Sequence, residues 1–132
     1  MKILVMGSSR IGAMIVRELV QGGHDVTVMD TREENLRRIP PTLGATTLLG
    51  DGALEDDLRS AGIERMDAFF AVDQGDARNA FAAQKVRFLF KVPKVICLIY
   101  DPTRQQMYQE LGVEAVSPSR TISAMLLEAL RK

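Results

Sequence analysis

The sequence has no tryptophan, one cysteine and one histidine. Each scarcity removes a class of chemistry. A single cysteine, Cys97, forms no internal disulfide, and its place in the apolar run Val95 to Ile99 makes it a small buried hydrophobe rather than a metal ligand. The only histidine, His24, follows Gly22-Gly23 in a turn at the end of the molecule away from the candidate site, so it reads as a surface residue and not a base. No serine lies in a nucleophile-elbow pattern, and the usual sets of acid, base and nucleophile cannot be assembled. An excess of one charge is missing as well. Lys+Arg 17 against Asp+Glu 17 gives a net charge of zero, which leaves no large field to hold nucleic acid. No apolar run approaches the roughly 18 residues needed to cross a bilayer, and no signal-peptide pattern opens the chain. The expectation is a cytoplasmic chain whose link to any membrane goes through another protein.

What is present is a regular alternation of strand-like apolar runs with helix-period segments. Strands are expected near Lys2 to Met6, Asp25 to Asp30, Thr46 to Leu49, Ala68 to Val72, Lys94 to Ile99 and Ala115 to Val116. Helices are expected to begin near Ile11, Arg32, Leu54, Asp76 and Pro102, with a sixth after Ser119. This pattern predicts an α/β domain: a doubly wound parallel sheet of six strands, Rossmann-like, with helices on both faces. The 132 residues fit one such domain and leave nothing for a second.

The first thirty residues carry the most specific signal. Strand, turn Gly7-Ser8-Ser9-Arg10-Ile11-Gly12, helix and second strand form a βαβ unit that ends on Asp30. A dinucleotide fingerprint wants glycine first for the tight turn, second for approach of a pyrophosphate and last for helix-on-strand packing. Gly7 and Gly12 fill the outer places and Ser9 takes the middle one, where its hydroxyl could donate to a phosphate. The N-terminus of the following helix favours an anion. Asp30, at the second strand tip, is placed to accept hydrogen bonds from ribose hydroxyls, and its charge disfavours a 2′-phosphate.

In open parallel sheets ligands bind beyond the carboxyl ends of the strands. The tips are Gly7 to Gly12, Asp30 to Arg32, Gly50 to Gly52, Val72 to Asp76 and Tyr100-Asp101, and from them Gly7, Ser8, Ser9, Arg10, Ile11, Gly12, Asp30, Thr31, Arg32, Gly50, Asp51, Gly52, Val72 and Asp73 are the candidate nucleotide-binding residues. Arg10 fits either a phosphate clamp or a solvated helix turn. Asp51 fits either a ligand contact or a local turn bond. Asp76 is expected to cap the fourth helix. The carboxylates lack the histidine or close ligand spacing of a metal site, so no metal is expected. The segment Asn79 to Phe90 and the last helix, with Ile122, Met125, Leu126, Leu127 and Leu130, are apolar nearly all round. Either they lie in a deep core or they meet a partner subunit, and a homodimer is favoured.

The whole chain resembles the regulator-of-potassium-conductance N-terminal domain, also called the KTN or Trk-type N-terminal domain. The resemblance rests on Gly7 to Gly12, Asp30, Gly50-Asp51, Ala61-Gly62-Ile63, Asp67-Ala68, Asp76 with Asn79, Val92-Pro93, Asp101-Pro102, Leu111-Gly112-Val113 and Ser117-Pro118. It implies a cytosolic regulatory subunit or domain that binds NAD(H) or an adenine nucleotide (ATP, ADP or AMP) as a ligand rather than a catalytic cofactor. It further implies a dimer or a larger ring that gates a membrane potassium channel or transporter. The family's C-terminal ligand-binding domain is not among these residues. Three positions depart from the family pattern: Ser9 for glycine, Asp73 for threonine or serine, and no basic residue in Val95 to Ile99. They move the implied ligand towards a mononucleotide or a cation-bridged nucleotide. Two other functions compete, a small NAD-dependent oxidoreductase with Tyr100 as its only nominated acid, and a dimerisation scaffold without ligand.

Overall fold

A computed structural model describes all residues from Met1 to Lys132. Six strands, β1 (Lys2–Met6), β2 (Asp25–Asp30), β3 (Thr46–Leu49), β4 (Ala68–Ala71), β5 (Lys94–Leu98) and β6 (Glu114–Val116), form one sheet. Their order is β3-β2-β1-β4-β5-β6 and every pairing is parallel. The chain leaves the centre in opposite directions from β1 and β4, so the switch point lies between them. The helices are α1 (Arg10–Gln21), α2 (Glu33–Leu36), α3 (Glu55–Ser60), α4 (Asp76–Phe88), α5 (Pro102–Glu110) and α6 (Pro118–Arg131). Strand limits and helix starts agree with the sequence pattern to a residue or two. Val72 and Ile99 lie just past their strands instead of ending them, and β6 begins one residue early.

Two-residue alternation sorts the strands onto two cores. Ile3 and Val5 of β1 face one side with Val26, Val28, Val16 of α1 and Leu36 of α2. Leu4 and Met6 face the other with Phe69, Ala71, Leu58 of α3 and Ala80, Ala83 and Val86 of α4. Cys97 lies in this second core, and burial pushes its thiol up to about 12, which keeps it protonated and unreactive.

Two sequence expectations need correction. Asp76 does not cap α4. Gly75 holds the cap position without a side-chain bond, and the Asp76 carboxylate instead accepts the backbone N–H groups of Tyr100 (2.6 Å) and Asp101 (3.0 Å). It therefore ties the start of α4 to the tip of β5, where a side chain reaching outward finds two unpaired donors. The deep-core alternative for the apolar helices also fails. Only one side of α4 is buried, leaving Phe81, Phe88 and Leu89 exposed, and α6 has no buried residue at all.

Glycine is required twice in the first turn. Gly7 adopts φ +109°, and a Cβ there would lie 2.8 Å from the Asp73 amide nitrogen. A Cβ on Gly12 would collide with the Gly7 carbonyl oxygen. Ser9 between them caps α1, its hydroxyl accepting the Gly12 N–H at 3.3 Å. Gly12→Ala should lower unfolding stability by about 2 kcal/mol or more through overpacking, against about 1 kcal/mol for the lost cap in Ser9→Ala. Urea denaturation of both variants checks this, and an equal or smaller loss for Gly12→Ala would contradict the packing argument.

Candidate functional site

The tips of β1, β2 and β4 enclose a cavity of about 680 Å³ whose lining contains no apolar side chain. That volume suits a small ligand, but the absence of apolar walls is unusual for such sites and selects a charged or strongly polar one. From the sequence-derived set, Ser9, Asp30, Thr31, Arg32 and Asp73 line it. Gln74 and Gly75 of the β4 tip line it as well, and the structure adds Glu34, Asn35, Arg38 and Arg78, which the strand-tip rule does not pick out. Glu34 and Asn35 lie in α2, Arg38 two residues past its end and Arg78 in the first turn of α4, so their roles depend on where those helices point.

Asp30 is buried and its carboxylate is already well used. Oδ2 accepts the Ser8 N–H at 2.8 Å, while Oδ1 accepts the Arg32 N–H at 2.8 Å and the Asn35 Nδ2 at 3.1 Å. With about two acceptor positions per oxygen, one on Oδ2 is left for a ligand hydroxyl. Ser8 turns inward, its hydroxyl donating to the Asn35 carbonyl at 2.9 Å, so it offers no side chain to the cavity. Arg38 donates to the Ser8 carbonyl at 2.9 Å and to Asn35 Oδ1 at 3.1 Å, which holds its guanidinium against the glycine turn with further N–H groups to spare.

The start of α1 has the donors that an anion needs. Gly12 and Ala13 donate to Ser9, while the N–H groups of Arg10 and Ile11 have no intrahelical acceptor. The Ser9 hydroxyl accepts from Gly12, so its own proton remains available to a phosphate. Arg10 and Ile11 are exposed and line a second, smaller hollow of about 290 Å³ with Ser9, Arg38, Gln74 and Tyr100. Arg10 and Arg38 thus stand on either side of the turn.

Gly50, Asp51 and Gly52 after β3 and Val72 after β4 do not line the main cavity. Gly52 is buried with no room for a Cβ beside Met6, and Val72 is buried under the Gly7 turn, so both act by packing. Asp51 connects to the cavity through Arg78, which donates to Asp51 Oδ1 at 2.8 Å and to Asp73 Oδ2 at 3.2 Å. The guanidinium of Arg78 holds the Asp51 carboxyl below its ordinary value, against the opposing effect of partial burial. Asp51 in turn raises Arg78. Beneath them Asn79 is fully buried, accepting from the Asp73 N–H (2.9 Å) and donating to the carbonyls of Asp73 (2.8 Å) and Leu98 (2.9 Å). It fixes the β4 tip. No group of three or more His, Cys, Asp and Glu side chains is placed to hold a metal ion, and the Asp51 and Asp73 carboxylates share Arg78.

Comparison with known proteins places this geometry among others. The model of the TrkA-N domain family matches residues 3–118. The Trk system potassium uptake protein TrkA of Streptomyces coelicolor is 39% identical over 130 residues, covering 98% of this chain and 58% of that protein. The chain thus spans under two thirds of the relative's length. The Kef CTD of Shewanella denitrificans in its AMP-bound form has the same fold, with a TM-score of 0.85 at 19% identity over 99% of this chain and 80% of that one. The GsuK channel bound to NAD matches with a TM-score of 0.73 at 19% identity over 87% of this chain and 21% of its own.

A depressed carboxyl stabilises the fold above its ordinary pKa, here 3.8, and that contribution is lost as pH falls through the lower folded value. Arg78→Met should therefore destabilise the chain at neutral pH, by a small amount because the Arg78 side chain is 40% and the Asp51 side chain 29% exposed. The difference from the unaltered chain should shrink as pH falls below 3.8. Urea denaturation at descending pH reads it, and a difference that does not shrink would mean that packing of the arginine stem, not its charge, is responsible.

Proposed function

The chain belongs to the TrkA-N domain family, and on that premise we propose that residues 1–132 are a nucleotide-sensing regulatory domain of a potassium transport system. The observation that carries this reading is the wholly polar cavity at the switch point, bounded by the Gly7 to Gly12 turn, the α1 N-terminus and Asp30. Phosphate groups suit the free N–H groups of Arg10 and Ile11, with Ser9, Arg10 and Arg38 around them. A ribose hydroxyl suits the remaining acceptor position of Asp30. The ligand is NAD(H) or an adenine nucleotide, a reading supported by the fold shared with proteins solved with AMP and with NAD. It acts as a signal: a ligand shifts a two-state equilibrium only by its differential affinity for the two states, and catalytic turnover is not required.

The role as partner of a membrane potassium transporter draws on the name of the Streptomyces relative. No helix of this chain is long and apolar enough to cross a membrane; in this reading the domain works from the cytoplasmic side through that partner. Ile122, Met125, Leu126, Leu127 and Leu130 of α6 stand exposed on one helix, and we assign this surface to a homodimer contact. A change in dimer geometry on nucleotide binding would then be the signal passed to the transporter.

Thermal unfolding with NAD, NADH, ATP, ADP or AMP tests the reading. A ligand at about 100 times its Kd adds roughly 2.7 kcal/mol, several degrees in Tm, and Asp30→Ala should remove the shift. No shift with any of the five would leave the ligand-free scaffold, and substrate-dependent bleaching of the nicotinamide band would restore the oxidoreductase. In the same samples sedimentation should give a dimer that Leu126→Glu with Leu130→Glu splits into monomers.

A further inference from the structure

Three carboxylates, Asp30, Glu34 and Asp73, and three guanidinium groups, Arg32, Arg38 and Arg78, line the main cavity. They balance, but not evenly. Asp30 and Glu34 sit at the β2 end, where Arg32 approaches Glu34 at 3.7 Å and Arg38 lies against the glycine turn. At the β4 end Asp73 stands beside the turn itself, since its backbone approaches Gly7 so closely that no Cβ fits between them. Asp51 adds a second negative charge just behind it. The only cation that the structure brings onto these two carboxylates by hydrogen bond is Arg78, at 2.8 Å and 3.2 Å. Lys85 acts on Asp51 only through space, as the smallest of the influences on that carboxyl, its ammonium donating to the Ala53 carbonyl at 3.0 Å. Without Arg78 the cavity wall would carry the Asp73 carboxylate, with Asp51 just behind it and neither bonded to a cation, and would repel an anion.

We infer that Arg78 is the residue that lets this crevice accept a phosphate-bearing ligand, by cancelling the charge of Asp73 and Asp51 at the β4 side of the glycine turn. Arg78 is a specificity-determining residue in this account and need not touch the ligand. The inference rests on the nucleotide reading above and extends it to a pair, Asp73 with Arg78, that must be kept or lost together. Asp73 is fixed in place by Asn79 through both of its backbone polar groups, so it cannot swing its charge away by moving the loop. The arginine stem runs along Gly75, its carbons 3.9 Å from where a Cβ would stand, and methionine preserves that contact.

The test compares ADP with adenosine, which shares the base and ribose but has no charge, by ligand-observed NMR titration of the full chain. Arg78→Met should weaken ADP by about tenfold or more while leaving adenosine within about twofold, because only ADP brings negative charge against the uncompensated carboxylates. Adding Asp73→Asn, which removes one carboxylate and keeps the shape, should recover most of the ADP affinity. Equal weakening of both ligands, or no recovery in the double variant, would overturn the inference and make Arg78 a structural brace. Arg78→Lys keeps the charge and should retain ADP binding, so a loss there equal to that of Arg78→Met would also count against it. If the unaltered chain binds ADP and Arg78→Met changes nothing, the inference alone falls. If the unaltered chain binds no ADP, the nucleotide reading falls first.

Discussion

The contact on which the site depends is the one between two backbones, the Gly7 turn and the chain leaving β4. Because Gly7 has no side chain and adopts positive φ, the Val72–Asp73 segment passes at van der Waals distance. Because Gly12 has none either, α1 rises directly from the turn against the Gly7 carbonyl. These two approaches bring the two halves of the sheet together at the switch point and aim the α1 N-terminus into the gap. Neither half alone has such a cavity. The parallel ladders of β1 with β2 and β4 hold the turn in this position, and buried side chains on both faces hold the ladders.

Around that contact the polar groups are arranged as supports for one another rather than as free ligand groups. Asp30 receives three protein donors, which anchor the glycine turn and the start of α2 before any ligand arrives. Asn79 does the same for the β4 tip, and Asp76 for the β5 tip. Every buried side-chain polar atom has a partner. Such a crevice is preorganised, so binding needs little rearrangement of these groups and a ligand is read mainly by charge and by the few acceptor and donor positions left open.

Much of this was legible in the sequence because it depends on local rules. The alternation of apolar runs with helix-period segments placed all six strands, and the spacing of Gly7, Gly12 and Asp30 marked the turn and the strand tip that flank the crevice. What was not legible depends on tertiary direction. Arg38, Asn35 and Arg78 are polar residues inside helical patterns, and nothing in their spacing tells that they turn towards the cavity and not towards solvent. Asp76 has the residue type and position of a helix cap, yet its carboxylate is taken by two amides that only the packing of β5 beside β4 brings near. Ser8 sits in the fingerprint and still points inward. For α6 the apolar pattern was clear, but whether it covers the core or another surface could not be decided from periodicity.

The central claim is that the β1/β4 crevice is a nucleotide site. Mapping ADP-induced shifts of the backbone amides tests it most directly. The account predicts perturbations concentrated at Ser8 to Gly12, Asp30 to Arg32 and Asp73 to Gly75, saturating along a single isotherm. Shifts confined to another hollow, such as the one at the β3 edge lined by Leu36, Pro41 and Leu49, or no saturable shift at all, would contradict it.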